Sequence, residues 1–209
     1  MKKKKCILFI VLIIIVIAIV IGVVLIVNKN KKKPEVEEEK QAVVLNSIDE
    51  FNITLDDLDT ELYKKEYETL KENLQSEKIN YEEYAKSISK MFVIDLYSLK
   101  AKLNKYDVGG VQFVYPPIAE NYTLNVEDTL YKYMEDNSKG KRKQTLPMVK
   151  SVTVSSIKAN KYTIKSEEKT YDGYKVKVSW EYEKNLGYDD EAELIIIRVD
   201  NKLYIAEKN

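Results

Sequence analysis

The stretch Tyr174-Lys-Val-Lys-Val-Ser-Trp-Glu-Tyr-Glu183 alternates without a break: Tyr174, Val176, Val178, Trp180 and Tyr182 share one side, while lysines, serine and glutamates take the other. A period of two places successive side chains on opposite faces of a strand, so this segment needs a sheet with one buried face. Its neighbours in sequence supply that sheet. Asp172-Gly173 is a hairpin signal that pairs it with a strand over residues 161–170, and residues 149–157 read as an earlier strand. Residues 191–199 form a further apolar strand, which Asp200-Asn201 turns into the closing strand Leu203-Tyr-Ile-Ala206.

Upstream the apolar period lengthens to that of a helix. Thr54-Leu-Asp-Asp57 has the form of a capping box with Ile53 and Leu58 at the staple positions, and Leu62, Leu70 and Leu74 continue the spacing to an end near Ser76. A second start at Asn80-Tyr-Glu-Glu83 leads into an apolar face of Tyr84, Ile88, Met91, Phe92, Leu96, Leu99 and Leu103, stopped by Gly109-Gly110. Residues 111–115 are expected to be a short strand closed by Pro116-Pro117, and residues 125–135, with Val126, Leu130, Tyr133 and Met134, a third helix. The pattern predicts an α+β domain over residues 47–209, with about three helices packed on a curved antiparallel sheet.

Ahead of the domain, residues 6–27, CILFIVLIIIVIAIVIGVVLIV, carry no charge and no proline. About 20 apolar residues match a hydrocarbon core of roughly 30 Å, so this run is expected to be an N-terminal transmembrane helix. It exceeds the core of a signal peptide, and Ile26 and Asn28 stand where a peptidase needs small side chains. Residues 1–5 are then a basic cytoplasmic tail and residues 28–46 a charged linker. Lys2, Lys3, Lys4 and Lys5 precede the run and Lys29, Lys31, Lys32 and Lys33 follow it, so the positive-inside count ties. The terminal amine breaks the tie toward an exported domain in a single-pass cell-membrane protein. Ala18 and Gly22, four apart, form a small-xxx-small pair that lets two helix backbones approach.

The first 33 residues hold 8 of the 34 basic residues and none of the 34 acidic ones, which leaves residues 34–209 at a net charge of −8. That sign argues against sequence-independent nucleic-acid binding, which needs cations against phosphates. One local exception is SKGKRKQ, residues 138–144, whose Lys139, Lys141, Arg142 and Lys143 could meet anionic lipid headgroups or an acidic partner, although its glycine and polar flanks favour a solvated loop. The chain has no histidine and a single cysteine, Cys6. Imidazole and thiolate metal sites, disulfides within the domain and Ser-His or Cys-His nucleophile pairs are excluded there. Asp189-Asp190-Glu191 lacks the spaced ligands of an EF-hand loop and reads as a charged turn. Asp95 is the candidate polar group of an interior pocket, because MFVIDLYSL sets it seven residues after Ile88 and four before Leu99, beside the apolar helix face. No cofactor is expected.

Helices first, a short strand, a third helix, then long strands ending in WEYE and the terminal VDNKLYIAE (residues 199–207) resemble the NTF2-like, or cystatin-like, fold. The resemblance covers residues 47–209 and rests on the order of elements. It implies a cone in which a bent sheet wraps the helices around a pocket or interaction surface. Enzymes of that fold place Asp, Tyr or His inside the cone, a role that would fall to Asp95 here. Basic tail, one span, linker and such a domain together are similar to the bitopic scaffold subunits of type IV secretion and conjugation systems. The expectation is a non-enzymatic extracytoplasmic module of a bacterial cell envelope, in contact with the lipid bilayer and with protein partners or further copies of itself. A tethered small-ligand binder or enzyme, and a sensor ectodomain, are the alternatives.

Overall fold

The computed structural model describes residues 40–209. Helix bounds, sheets and contacts below are those of these residues. The apolar run 6–27, its flanking Lys2, Lys3, Lys4, Lys5, Lys29, Lys31, Lys32 and Lys33, the Ala18/Gly22 pair and most of the 28–46 linker lie outside them. Among the described residues no helix is long and apolar enough to cross a membrane.

The fold is α+β, but the expected single curved sheet is corrected. Two sheets are present, of two and four strands, with three α-helices. The small sheet is the antiparallel hairpin of β1 (Val44–Ile48) and β2 (Ile53–Asp56), whose turn puts Asn52 at φ 56°. The capping box over Thr54–Asp57 fails for a local reason. Ile53 and Leu55 are buried while Thr54 between them is exposed, which is the alternation of a strand. The helix begins at Thr60, whose Oγ1 accepts the Tyr63 N–H at 3.1 Å, and α1 runs Glu61–Leu74.

Helix α2 (Tyr81–Tyr97) starts where the sequence indicates, with the Asn80 Oδ1 accepting the N–H groups of Glu82 and Glu83. Tyr84, Ile88, Met91, Phe92, Leu96 and the following Leu99 are all at most 2 % exposed, so this helix is the axis of the core. The expected strand over 111–115 is a 3-10 turn, Val111–Phe113, of which only Val114 bridges Ile205, in parallel. The third helix, α3, is Ala119–Asp128, about two turns earlier than the expected 125–135; Pro116 and Pro117 open the preceding 3-10 turn, and Thr129 leaves helical geometry at ψ −88°.

The second sheet has the order β3-β4-β5-β6, formed by β3 (Val149–Ile164), β4 (Lys169–Tyr182), β5 (Glu191–Val199) and β6 (Lys202–Lys208), all antiparallel. The two strands expected over 149–157 and 161–170 are mostly one continuous strand, β3, and its hairpin with β4 turns after Ile164, with Glu168 at φ 52°. Asp172-Gly173 therefore sits inside β4, not at a turn. Gly173 lies opposite Asn160 and Ile197, and a Cβ there would come within 1.9 Å of the Ile196 carbonyl oxygen. The glycine serves close strand approach, a use that looks like a turn signal in sequence. Val176, Val178 and Trp180 of β4 pack with Leu194, Ile196, Leu203 and Ile205 in the main core, where the Trp180 ring lies 4.6 Å from that of Tyr97. The opposite face carries a smaller cluster around Tyr115, Tyr171 and Ile197.

Candidate functional site

The last two turns of α2 separate two very different spaces. On one side, the chain leaves α2 at Ser98, makes a 3-10 turn over Leu99–Ala101 and brings Lys102 back onto Asp95. The ion pair is nearly enclosed, its side chains 13 % and 12 % exposed. The second Asp95 oxygen accepts the Gly110 N–H at 2.6 Å. Gly109 and Gly110 act here as close-packing residues: a Cβ on Gly109 would meet the Asp95 carbonyl at 2.1 Å, and Gly110 has φ +80° against the Phe92 ring.

Around this pair stand Asp56 and Asp59 from the turn between β2 and α1, Asp107 from the loop, and Tyr63. Each aspartate is engaged by backbone donors. Asp56 accepts the N–H of Leu58 at 2.9 Å, Asp59 that of Asp56 at 2.8 Å, and Asp107 that of Leu103 at 2.8 Å. The space left among them is about 20 Å³, room for about one water molecule. Burial, reinforced by the neighbouring charges of Asp56 and Asp95, pushes the Asp59 carboxyl up to about 7 against the Asp56 N–H bond that favours its charge. Burial likewise raises Asp56. Burial would lower the Lys102 ammonium, but Asp95 and Asp107 more than offset it and hold it above the usual lysine range. Such an arrangement can take up a proton at Asp59 and tie the 102–110 loop to α2 through Asp95. It has no space for a substrate beside Asp95, the one polar group singled out by sequence.

On the other side of the same helix, Phe92, Leu96 and Tyr97 floor an open groove of about 450 Å³. Ile118, Tyr122, Val126 and Leu130 form one wall, on and around α3, and Ile205, Ala206, Glu207 and Lys208 of β6 form the other. Its lining is mainly apolar. Polar groups collect at one end, where Asp189 accepts the Tyr97 hydroxyl at 3.3 Å and lies 4.0 Å from the Lys208 ammonium. Tyr122 spends its hydroxyl on the Gly109 carbonyl at 2.7 Å and so offers the groove its ring. The sequence did not single out this site. Val126 and Leu130 were visible as an i, i+4 pair, but the groove depends on β6 lying opposite them, a contact between residues some 80 positions apart.

Two other expectations resolve here. Asp189 belongs to the groove and not merely to a charged turn, and among the described residues no group of three or more Asp, Glu, His or Cys is arranged to hold a metal ion. The 138–144 loop is not simply solvated, because Arg142 turns inward and donates to the carbonyls of Lys100 at 2.7 Å and Lys102 at 3.0 Å. Comparison with protein-family models, with curated proteins and with solved structures finds no match to this chain.

Proposed function

We propose that the chain is a non-catalytic binding module of a cell envelope, held at the membrane with its domain outside the cytoplasm, and that the groove between α3 and β6 receives apolar side chains of a protein partner. The observation that supports this is the division made by α2. The polar chemistry around Asp95 is consumed by internal partners in a space of about 20 Å³, whereas the groove across the helix, of about 450 Å³, is open and lined mainly by apolar side chains. The apolar run 6–27 with lysines on both flanks supports the membrane address. The volume of the groove also favours a second reading, a small amphipathic ligand, since such sites span roughly 300–1,000 Å³.

A photoreactive residue at Leu130 in the full chain, irradiated in cells, separates these readings. A crosslink to one defined protein that disappears in Val126→Trp, with an unchanged far-ultraviolet spectrum and melting curve, supports the partner. A low-mass adduct lost in the same variant supports the small ligand. Adducts that persist undiminished in Val126→Trp overturn both.

A further inference from the structure

The basic loop 138–144 is built into a face whose position along the chain gives it a partner. Arg142 anchors it through the carbonyls of Leu99, Lys100, Lys102 and Glu135, at 3.4, 2.7, 3.0 and 3.3 Å. With the guanidinium turned inward, Lys139, Lys141 and Lys143 remain exposed. The Asn137 N–H donates to the Leu103 carbonyl at 2.6 Å, joining the loop to the turn that carries Lys105 and Tyr106. Gln144 Nε2 donates to the Tyr133 carbonyl at 2.9 Å, joining it to Lys132 and Tyr133. Tyr133 and Tyr106 are 80 % and 66 % exposed, the most exposed large hydrophobic side chains among the described residues, and each lies under a lysine ammonium, at 5.4 and 4.8 Å.

The Lys40 N–H donates to the Ser138 carbonyl at 2.9 Å, so the chain enters the domain at this face. Only residues 28–39 separate that point from the end of the apolar run, and twelve residues span at most about 40 Å. Exposed Glu135 and Asp136 border the lysines, yet Lys105, Lys132, Lys139, Lys141 and Lys143 outnumber them here, whereas residues 40–209 as a whole hold 26 basic and 30 acidic side chains. Tyrosine rings settle at the headgroup level of a bilayer, and lysines near an anionic membrane surface each favour the bound state about fivefold.

We propose that the face formed by the 138–144 loop with Tyr106 and Tyr133 docks on anionic lipid headgroups, so that the domain lies against its own membrane. The inference rests on the membrane-held reading of residues 6–27. Docking would fix which way the α3–β6 groove is presented to a partner.

The test uses the full chain with Cys6→Ser and Tyr133→Cys, an environment-sensitive dye on that cysteine, reconstituted into vesicles of phosphatidylcholine alone or mixed with phosphatidylglycerol. The dye is expected to shift to the blue only with phosphatidylglycerol, and to shift back in about 1 M salt, where the screening length is about 3 Å. Replacing Lys139, Lys141 and Lys143 by glutamine is expected to lower the ratio of docked to undocked domain on the order of 100-fold. A chain that floats with both vesicles and shows the same dye spectrum in each overturns the docking while leaving the membrane reading intact. Retention of the shift in the triple-glutamine variant also overturns it. A chain that floats with neither vesicle overturns the membrane reading, and the docking with it.

Discussion

The two sides of the last turns of α2 are lined by adjacent residues and behave as opposites. Ile94, Asp95 and Ser98 border a closed polar space of about 20 Å³, and Phe92, Leu96 and Tyr97 border an open apolar one of about 450 Å³. The difference shows where each kind of residue does its work. Asp95 ties the 102–110 loop to the helix through Lys102 and Gly110, while Asp56, Asp59 and Asp107 order the backbone of their own turns. Hydrophobic side chains, normally the material of the core, here leave a surface that another molecule can fill.

The closed side predicts the largest effect. Asp95→Ala leaves the Lys102 ammonium buried without its partner, and breaking a buried pair costs about 3–5 kcal/mol. Equilibrium unfolding of the full chain, followed by the fluorescence of Trp180, its single tryptophan, measures it. Replacing both partners together, Asp95→Leu with Lys102→Met, is expected to recover most of that loss. A loss below about 1 kcal/mol for Asp95→Ala would place the pair in solvent, against the picture of a closed side. On the open side, Leu96→Ala removes a side chain that is 2 % exposed and is expected to cost about 2–4 kcal/mol by the same readout.

Much of the architecture was legible because it rests on local pattern. The alternation of residues 174–183, the Asn80 cap with its apolar face and the strands on either side of Asp200-Asn201 all appear in the structure. The failures share one cause, which is that a local signal had a long-range use. Gly173 permits close strand approach instead of a turn, Gly109 and Gly110 let a loop rest on α2, which already ends at Tyr97, and Ile53 and Leu55 face a core that the capping-box pattern cannot register. Asp95 could be found from its position on the helix. That its partner is Lys102, and that an open apolar groove lies across the helix at residues from α3 and β6, depends on packing between distant segments.

A smaller effect separates the two sides by pH. The folded Asp59 carboxyl titrates near 7 against an ordinary 3.8, so the folded state holds the proton more tightly than the unfolded chain. Its contribution to stability is full below about pH 3.8 and is lost as pH rises through about 7. Because the group is partly open to solvent, the loss between pH 4 and 8 is expected to be about 1–2 kcal/mol, well under the value a fully buried carboxyl would give. Unfolding curves of Asp59→Asn should be flatter over that interval than those of the native chain. Equal slopes would mean that Asp59 is no more enclosed in the folded state than in the unfolded one.

The smallest expected effect is the sharpest check on the open side. In a closed core, a larger side chain forces its neighbours off their rotamers and costs about 1–3 kcal/mol. Val126 is 6 % exposed yet borders the groove of about 450 Å³, so the indole of Val126→Trp has space to enter without displacing Leu96 or Ile205. The variant is therefore expected to unfold within about 0.5 kcal/mol of the native chain. Its added tryptophan should be shielded from iodide while an apolar dye loses its binding site. A penalty of closed-core size would show that the groove collapses onto Val126 in solution. The contrast between the two sides of α2 would then be one of polarity alone, since neither side would be open.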